Sequence, residues 1–147
     1  MRPRYSAFIA IVAALVVFVT AGDAIASTVV RVQLQDGTDG IRGMRLKTSR
    51  MSAPAGQITF QIVNESKSRE HEFNVIKTDA PSPAALPGQG EEIDLNGLPN
   101  LGESGDLEPG ASHDLTVNLQ PGNYILICNE PGHAHQGMWS RFRVTGH

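Results

Sequence analysis

Apolar and polar residues alternate with a period of two along several short stretches of the chain. That spacing turns one side of an extended segment to a core and the other to water. Gln57 to Val63 is the clearest case, with Ile58, Phe60 and Ile62 on one face and Gln57, Thr59 and Gln61 on the other. Val29 to Leu34 is rich in β-branched residues and Met44 to Lys47 alternates. His71 to Lys77 alternates again, with Phe73 and Val75 on the side of His71. The pattern returns in His113 to Leu119, Tyr124 to Cys128 and Arg141 to Thr145, with turns at Pro54-Ala55-Gly56 and Pro121-Gly122-Asn123. No run of ten or more residues carries a helical stripe. The spacing predicts an all-β domain, a sandwich or barrel of about seven to eight short strands.

Periodicity fails from Thr78 to Leu107, where Pro81, Pro83, Pro87 and Pro99 occur with five glycines. An irregular connection of that length inside a compact domain is unusual and often functional. The N-terminus has a different logic. Arg2 and Arg4 precede an unbroken apolar run from Ala7 to Val19, and Ala24-Ile25-Ala26 offers the small-x-small pattern of a cleavage site. Residues 1–26 are therefore expected to be a signal peptide, leaving 27–147 as one domain on the far side of a membrane, periplasmic or otherwise exported. An uncleaved anchor is the alternative, because the 18 uncharged residues between Arg4 and Asp23 just reach the length of a span.

Composition narrows the function classes. Twelve basic against fifteen acidic residues give a formal charge of -3, which argues against a general nucleic-acid binder. Without residues 1–26 the count is ten against fourteen, a net of -4. The imbalance is local: between Lys77 and Arg141 there are nine carboxylates and no Lys or Arg. Such a stretch either solubilises the surface or steers a basic redox partner into a short-lived complex. A single cysteine excludes an intramolecular disulfide, a four-cysteine zinc site and a C-x-x-C thiol pair.

That cysteine opens the most informative segment, Cys128 to Met138, which reads C-N-E-P-G-H-A-H-Q-G-M. A lone Cys at a strand end is ordinarily core. A thiol, an imidazole at His133 and a thioether at Met138, all within eleven residues, are instead a ligand set for copper. A trigonal site of two histidines and one cysteine with a weak axial Met needs one more histidine. His71, at the head of another strand, is the candidate. His135 forms an H-x-H pair with His133 but follows Pro131-Gly132, where the chain turns, and reads as a surface residue. His113 and His147 read as surface too, and Met44 and Met51 as core or edge packing.

Three segments resemble the cupredoxins, the small blue copper proteins. Asn64 to Ile76 (N-E-S-K-S-R-E-H-E-F-N-V-I) is similar to the family's Asn, polar loop, His and apolar strand. Leu107-Glu-Pro-Gly-Ala-Ser and Gln120-Pro-Gly-Asn-Tyr look like the paired turns before its last strands. The Cys128 to Met138 segment is close to the bacterial form C-x-x-P-G-H-x-x-x-G-M. The resemblance implies a Greek-key β-sandwich binding one copper, with Cys128, His71 and His133 as equatorial ligands and Met138 axial. It implies an electron carrier rather than an enzyme, a monomeric domain passing single electrons between redox partner proteins. Two positions depart from the pattern. Glu72 replaces the Asn that often follows the first ligand histidine and steadies the cysteine loop, and Ser140 stands where Gly is common.

A copper chaperone or copper-storage protein is the alternative, although such sites are usually exposed and lack a buried thiolate. A multicopper oxidase would need several H-x-H pairs and a His-Cys-His run. Here Cys128 is flanked by Ile127 and Asn129.

Overall fold

The computed structural model describes residues 27–37, 43–88 and 91–146. The expected signal segment 1–26 lies outside the described residues, and among those described no helix is long and apolar enough to cross a membrane. The strands are β1 (Thr28–Gln35), β2 (Arg45–Thr48), β3 (Ser52–Pro54), β4 (Gly56–Asn64), β5 (Asn74–Lys77), β6 (Asn100–Glu103), β7 (Ser112–Leu119), β8 (Gly122–Ile127) and β9 (Trp139–Thr145). They form two sheets, a four-stranded one in the order β2-β1-β4-β7 and a five-stranded one in the order β3-β9-β8-β5-β6. β1 runs parallel to β4 and β3 parallel to β9, while the other pairs are antiparallel. The architecture is the expected all-β Greek-key sandwich.

The period of two explains what lies between the sheets. β1 sends Val30, Val32 and Leu34 inward, and β4 sends Ile58, Phe60 and Ile62. With no large stock of aromatics, the core is centred on three phenylalanines. Phe60 lies 5.2 Å from Phe73 and 5.7 Å from Phe142, ring centre to ring centre. Met44 joins this core as expected, whereas Met51 is 58% exposed.

The described residues contain two strands beyond the seven whose pattern is visible in the sequence. β3 and β6 are three and four residues long and lie at the ends of the five-stranded sheet. Neither is long enough to display an alternation. The strand expected from His71 starts instead at Asn74, and His71 makes an isolated bridge to Leu107.

The long connection is a cover over the five-stranded sheet. All four residues from Tyr124 to Ile127 in β8 are buried. Tyr124 and Leu126 belong to the main core, while Ile125 and Ile127 join a second cluster with Ile76, Ile93 and Ala134. Leu86, Leu95, Leu98 and Trp139 pack against that cluster. A strand covered on both faces reads as a continuous apolar run, as β8 does.

Candidate metal centre

β1 and β4 run in the same direction, so Asp36 and the 65–70 loop emerge at one pole of the sandwich. Asn64, fully buried at the end of β4, organises that loop. Its Nδ2 donates to the carbonyls of Arg69 (2.8 Å) and Leu107 (2.7 Å), and its Oδ1 accepts from the Ser66 N–H (2.9 Å). His71 is then locked to Leu107 by two backbone hydrogen bonds of 3.1 and 2.8 Å. The Asn at the head of the loop is thus the splint that delivers the histidine.

Cys128 follows β8 directly, and the 129–138 segment folds back over it in turns. The Cys128 N–H donates to the Met138 carbonyl (3.0 Å), and the Met138 N–H to the His133 carbonyl (3.0 Å). Gly137 has φ +106°, and a Cβ there would lie 2.9 Å from the Met44 carbonyl. Only glycine allows this close, left-handed passage.

These elements bring three expected residues together. His71 Nδ1 lies 3.2 Å from His133 Nδ1, and Cys128 Sγ lies 3.4 Å from His133 Nδ1 and 4.0 Å from His71 Nδ1. All three donor atoms fall within 4.8 Å of one another, and all three residues are buried. Met138 is fully buried beside Cys128 in the main core. His135 and His113 lie exposed, as expected of surface residues.

The electrostatics follow from burial. Loss of water pushes the Cys128 thiol up to about 12, opposed by N–H donors from Glu72 and Glu130. The Glu72 N–H reaches Sγ at 3.3 Å. Burial pushes His133 down to about 4, with His71 and Arg69 adding to the effect. His71 is also lowered by burial, against the pull of the Asp36 carboxylate. The metal-free site therefore holds a protonated thiol and two neutral imidazoles near pH 7. Neutral imidazole nitrogens and a soft sulfur in a buried site suit copper. The donor set and its burial fit the metal that the sequence implies.

Carboxylates surround this pole. Glu70 is raised chiefly by repulsion from Glu108, with Asp106 contributing. Glu130 is raised first by burial and then by Asp106, Glu72, Glu70 and Glu92. Glu72 is raised by burial, with Glu103 and Asp106 adding to the effect. Residues flanking His71, Leu107 and Cys128 thus feel one another's charge.

Two features escape sequence reasoning. Asp36 Oδ1 sits 3.2 Å from His71 Nε2, though the two are 35 residues apart and no spacing links them. The Asn129 side chain clasps Ile93 of the cover, accepting from its N–H (3.0 Å) and donating to its carbonyl (3.1 Å). An Asn beside the cysteine was the only signal for it.

The sulfocyanin (SoxE) domain family matches residues 39–147. Among curated proteins no sequence matches significantly. Among solved structures, reduced auracyanin from the photosynthetic bacterium Roseiflexus castenholzii is similar with a TM-score of 0.58 and 21% identity, over 82% of this chain and 98% of that one. Rusticyanin from Thiobacillus ferrooxidans has a TM-score of 0.58 and 20% identity over 82% and 79% of the two chains. Auracyanin A from Chloroflexus aurantiacus, described as a "blue" copper protein, has a TM-score of 0.57 and 17% identity over 82% and 100%. These likenesses show a shared fold.

Proposed function

Because the chain belongs to the sulfocyanin (SoxE) family, a cupredoxin family of single-electron carriers with one copper per chain, we propose that His71, Cys128, His133 and Met138 hold that copper. The convergence of one buried thiol and two buried imidazole Nδ1 atoms carries the assignment. When bound, copper would supply the one-electron Cu(II)/Cu(I) couple, held by the Cys128 thiolate, the His71 and His133 imidazoles and the Met138 thioether. The protein's part is to exclude water, hold the donors in place and give up the thiol proton.

No substrate is transformed in this reading, so the chain acts as a redox protein and not as an enzyme. The buried thiol disfavours the alternative of a copper chaperone or store. The domain works outside the cytoplasm, in the periplasm or an equivalent exported location, with residues 1–26 as its signal peptide. Its partners are redox proteins with a basic face. The support is the set of carboxylates flanking the ligand-bearing segments, among them Glu70, Asp106 and Glu108, all exposed. Complementary charge of this kind speeds encounter and selects partners.

The test is the visible and electron spin resonance spectra of the copper-loaded protein and its Cys128→Ala variant. The wild type is expected to take up one copper with an intense visible band, and the variant to lack the band. A variant that stays blue would exclude Cys128 as the ligand.

A further inference from the structure

We propose that Asp36 is a positioning residue of the metal centre, an anionic brace behind His71 that fixes its tautomer and tunes its strength as a ligand. The inference rests on the ligand assignment above and goes beyond it, because Asp36 lies outside the residues matched by the family.

The geometry has two sides. Asp36 Oδ1 lies 3.2 Å from Nε2 of His71, whose other ring nitrogen faces Cys128 and His133. A carboxylate can only accept, so Nε2 must carry the proton and donate it. Nδ1 is then left with its lone pair pointing at the other donors. The 3.2 Å contact between the two Nδ1 atoms requires one donor, so His133 supplies Nδ1–H in the metal-free protein. A single carboxylate thereby sets both tautomers.

Asp36 is itself held. Ser66 Oγ donates to its other oxygen at 2.6 Å, and Ser66 also accepts the N–H groups of Ser68 (3.1 Å) and Arg69 (2.8 Å). The Arg69 guanidinium lies at 4.0 Å from Oδ1. The brace is therefore anchored in the same loop that Asn64 organises, with His71 fully buried at its end. Carboxylates behind ligating histidines orient the ring and raise its basicity, and their loss typically costs about 10- to 100-fold in metal affinity. A more basic imidazole with a negative charge behind it favours the more highly charged Cu(II) over Cu(I).

Asp36→Ala and Asp36→Asn separate these effects, because Asn keeps an acceptor and removes the charge. Three quantities are measured: the tautomers of His71 and His133 in the metal-free protein by long-range proton–nitrogen-15 correlation, Zn(II) affinity by chelator competition, and the reduction potential of the copper-loaded protein. The wild type should show Nε2–H on His71 and Nδ1–H on His133. Asp36→Ala should mix the tautomers and weaken Zn(II) binding about 10- to 100-fold. Asp36→Asn should keep the tautomers and most of the affinity, yet raise the potential. If Zn(II) binding proves indifferent to Cys128→Ala, the ligand set falls, and this inference with it. If binding depends on Cys128 while both Asp36 variants keep wild-type tautomers, affinity and potential, the ligand set stands and the role of Asp36 is overturned.

Discussion

The buried thiol makes a quantitative prediction about how metal binding depends on pH. Cys128 is pushed up to about 12, so a proton must leave Sγ when a metal–thiolate bond forms. At pH 7 forming that thiolate costs on the order of 7 kcal/mol, which the new bond must offset. The imidazoles behave differently. His133 is pushed down to about 4 and His71 is lowered from its ordinary value, so neither holds a competing proton from about pH 7 upward. Between about pH 7 and 9 raising the pH removes only the thiol proton, and apparent affinity should rise about tenfold per pH unit, roughly a hundredfold in all. Two imidazoles at their usual value near 6.5 would add their own protons below that pH and steepen the slope toward three. Zn(II) titrations against a chromophoric chelator at fixed ionic strength measure the slope directly, and Cys128→Ser should flatten it. A slope near zero at neutral pH would mean that the thiol is already ionised or takes no part. A slope climbing toward three between pH 6 and 5 would mean that the imidazoles are not held neutral, refuting the view of the site as desolvated before metal arrives.

Three further outcomes can be checked. Met138→Leu should keep copper and colour while raising the reduction potential, and Met138→Gln should lower it, because an oxygen donor favours Cu(II); loss of copper from the Leu variant would remove Met138 from the axial position. Phe60→Ala, which empties the centre of a three-phenylalanine cluster, should cost about 3–5 kcal/mol in denaturant unfolding of the metal-free protein. Electron transfer to a basic partner should slow as salt rises, and Gln at Glu70, Asp106→Asn and Glu108→Gln together should flatten the dependence; a rate indifferent to salt would leave these groups as solubilising surface.

The parts of the molecule that were legible in the sequence are those governed by short-range pattern. Ile58, Phe60 and Ile62 declare β4 because a strand with one wet face must alternate. Cys128, His133 and Met138 lie in one loop, so their spacing alone suggests a shared site. His71 enters only as the further histidine the site needs, at the head of another strand, and gains from family likeness, since 62 residues separate it from His133 and only strand pairing brings the two rings together. Asp36 has neither aid. It directly follows β1, whose parallel pairing with β4 carries it to the pole where His71 waits, and no local signal encodes such a register. The cover is hidden for another reason. Its prolines and glycines erase periodicity, and its apolar residues, Ile93 and Leu98 among them, are too sparse to announce the sheet face they bury.

That cover also accounts for the departure at position 72. In cupredoxins with Asn after the first ligand histidine, its side chain steadies the cysteine loop. Glu72 has a half-buried side chain raised by desolvation, and what reaches Cys128 Sγ is its backbone N–H. The fastening has moved to the other side of the loop. Asn129 clasps the backbone of Ile93 in both directions, the Gly132 N–H donates to the Glu91 carbonyl at 2.9 Å, and Ile93 packs with Ile127 and Ala134. The segment bearing Cys128 and His133 is thereby pinned to a second core, with the backbone but not the side chain of Glu72 fastening it from beside His71. The loop is thus fastened on the cover's side while Cys128 itself packs into the main core, and burial lifts the thiol and keeps the imidazoles neutral near pH 7. A carrier gains from both, because donors already fixed in a dry pocket need little rearrangement when a single electron arrives or leaves.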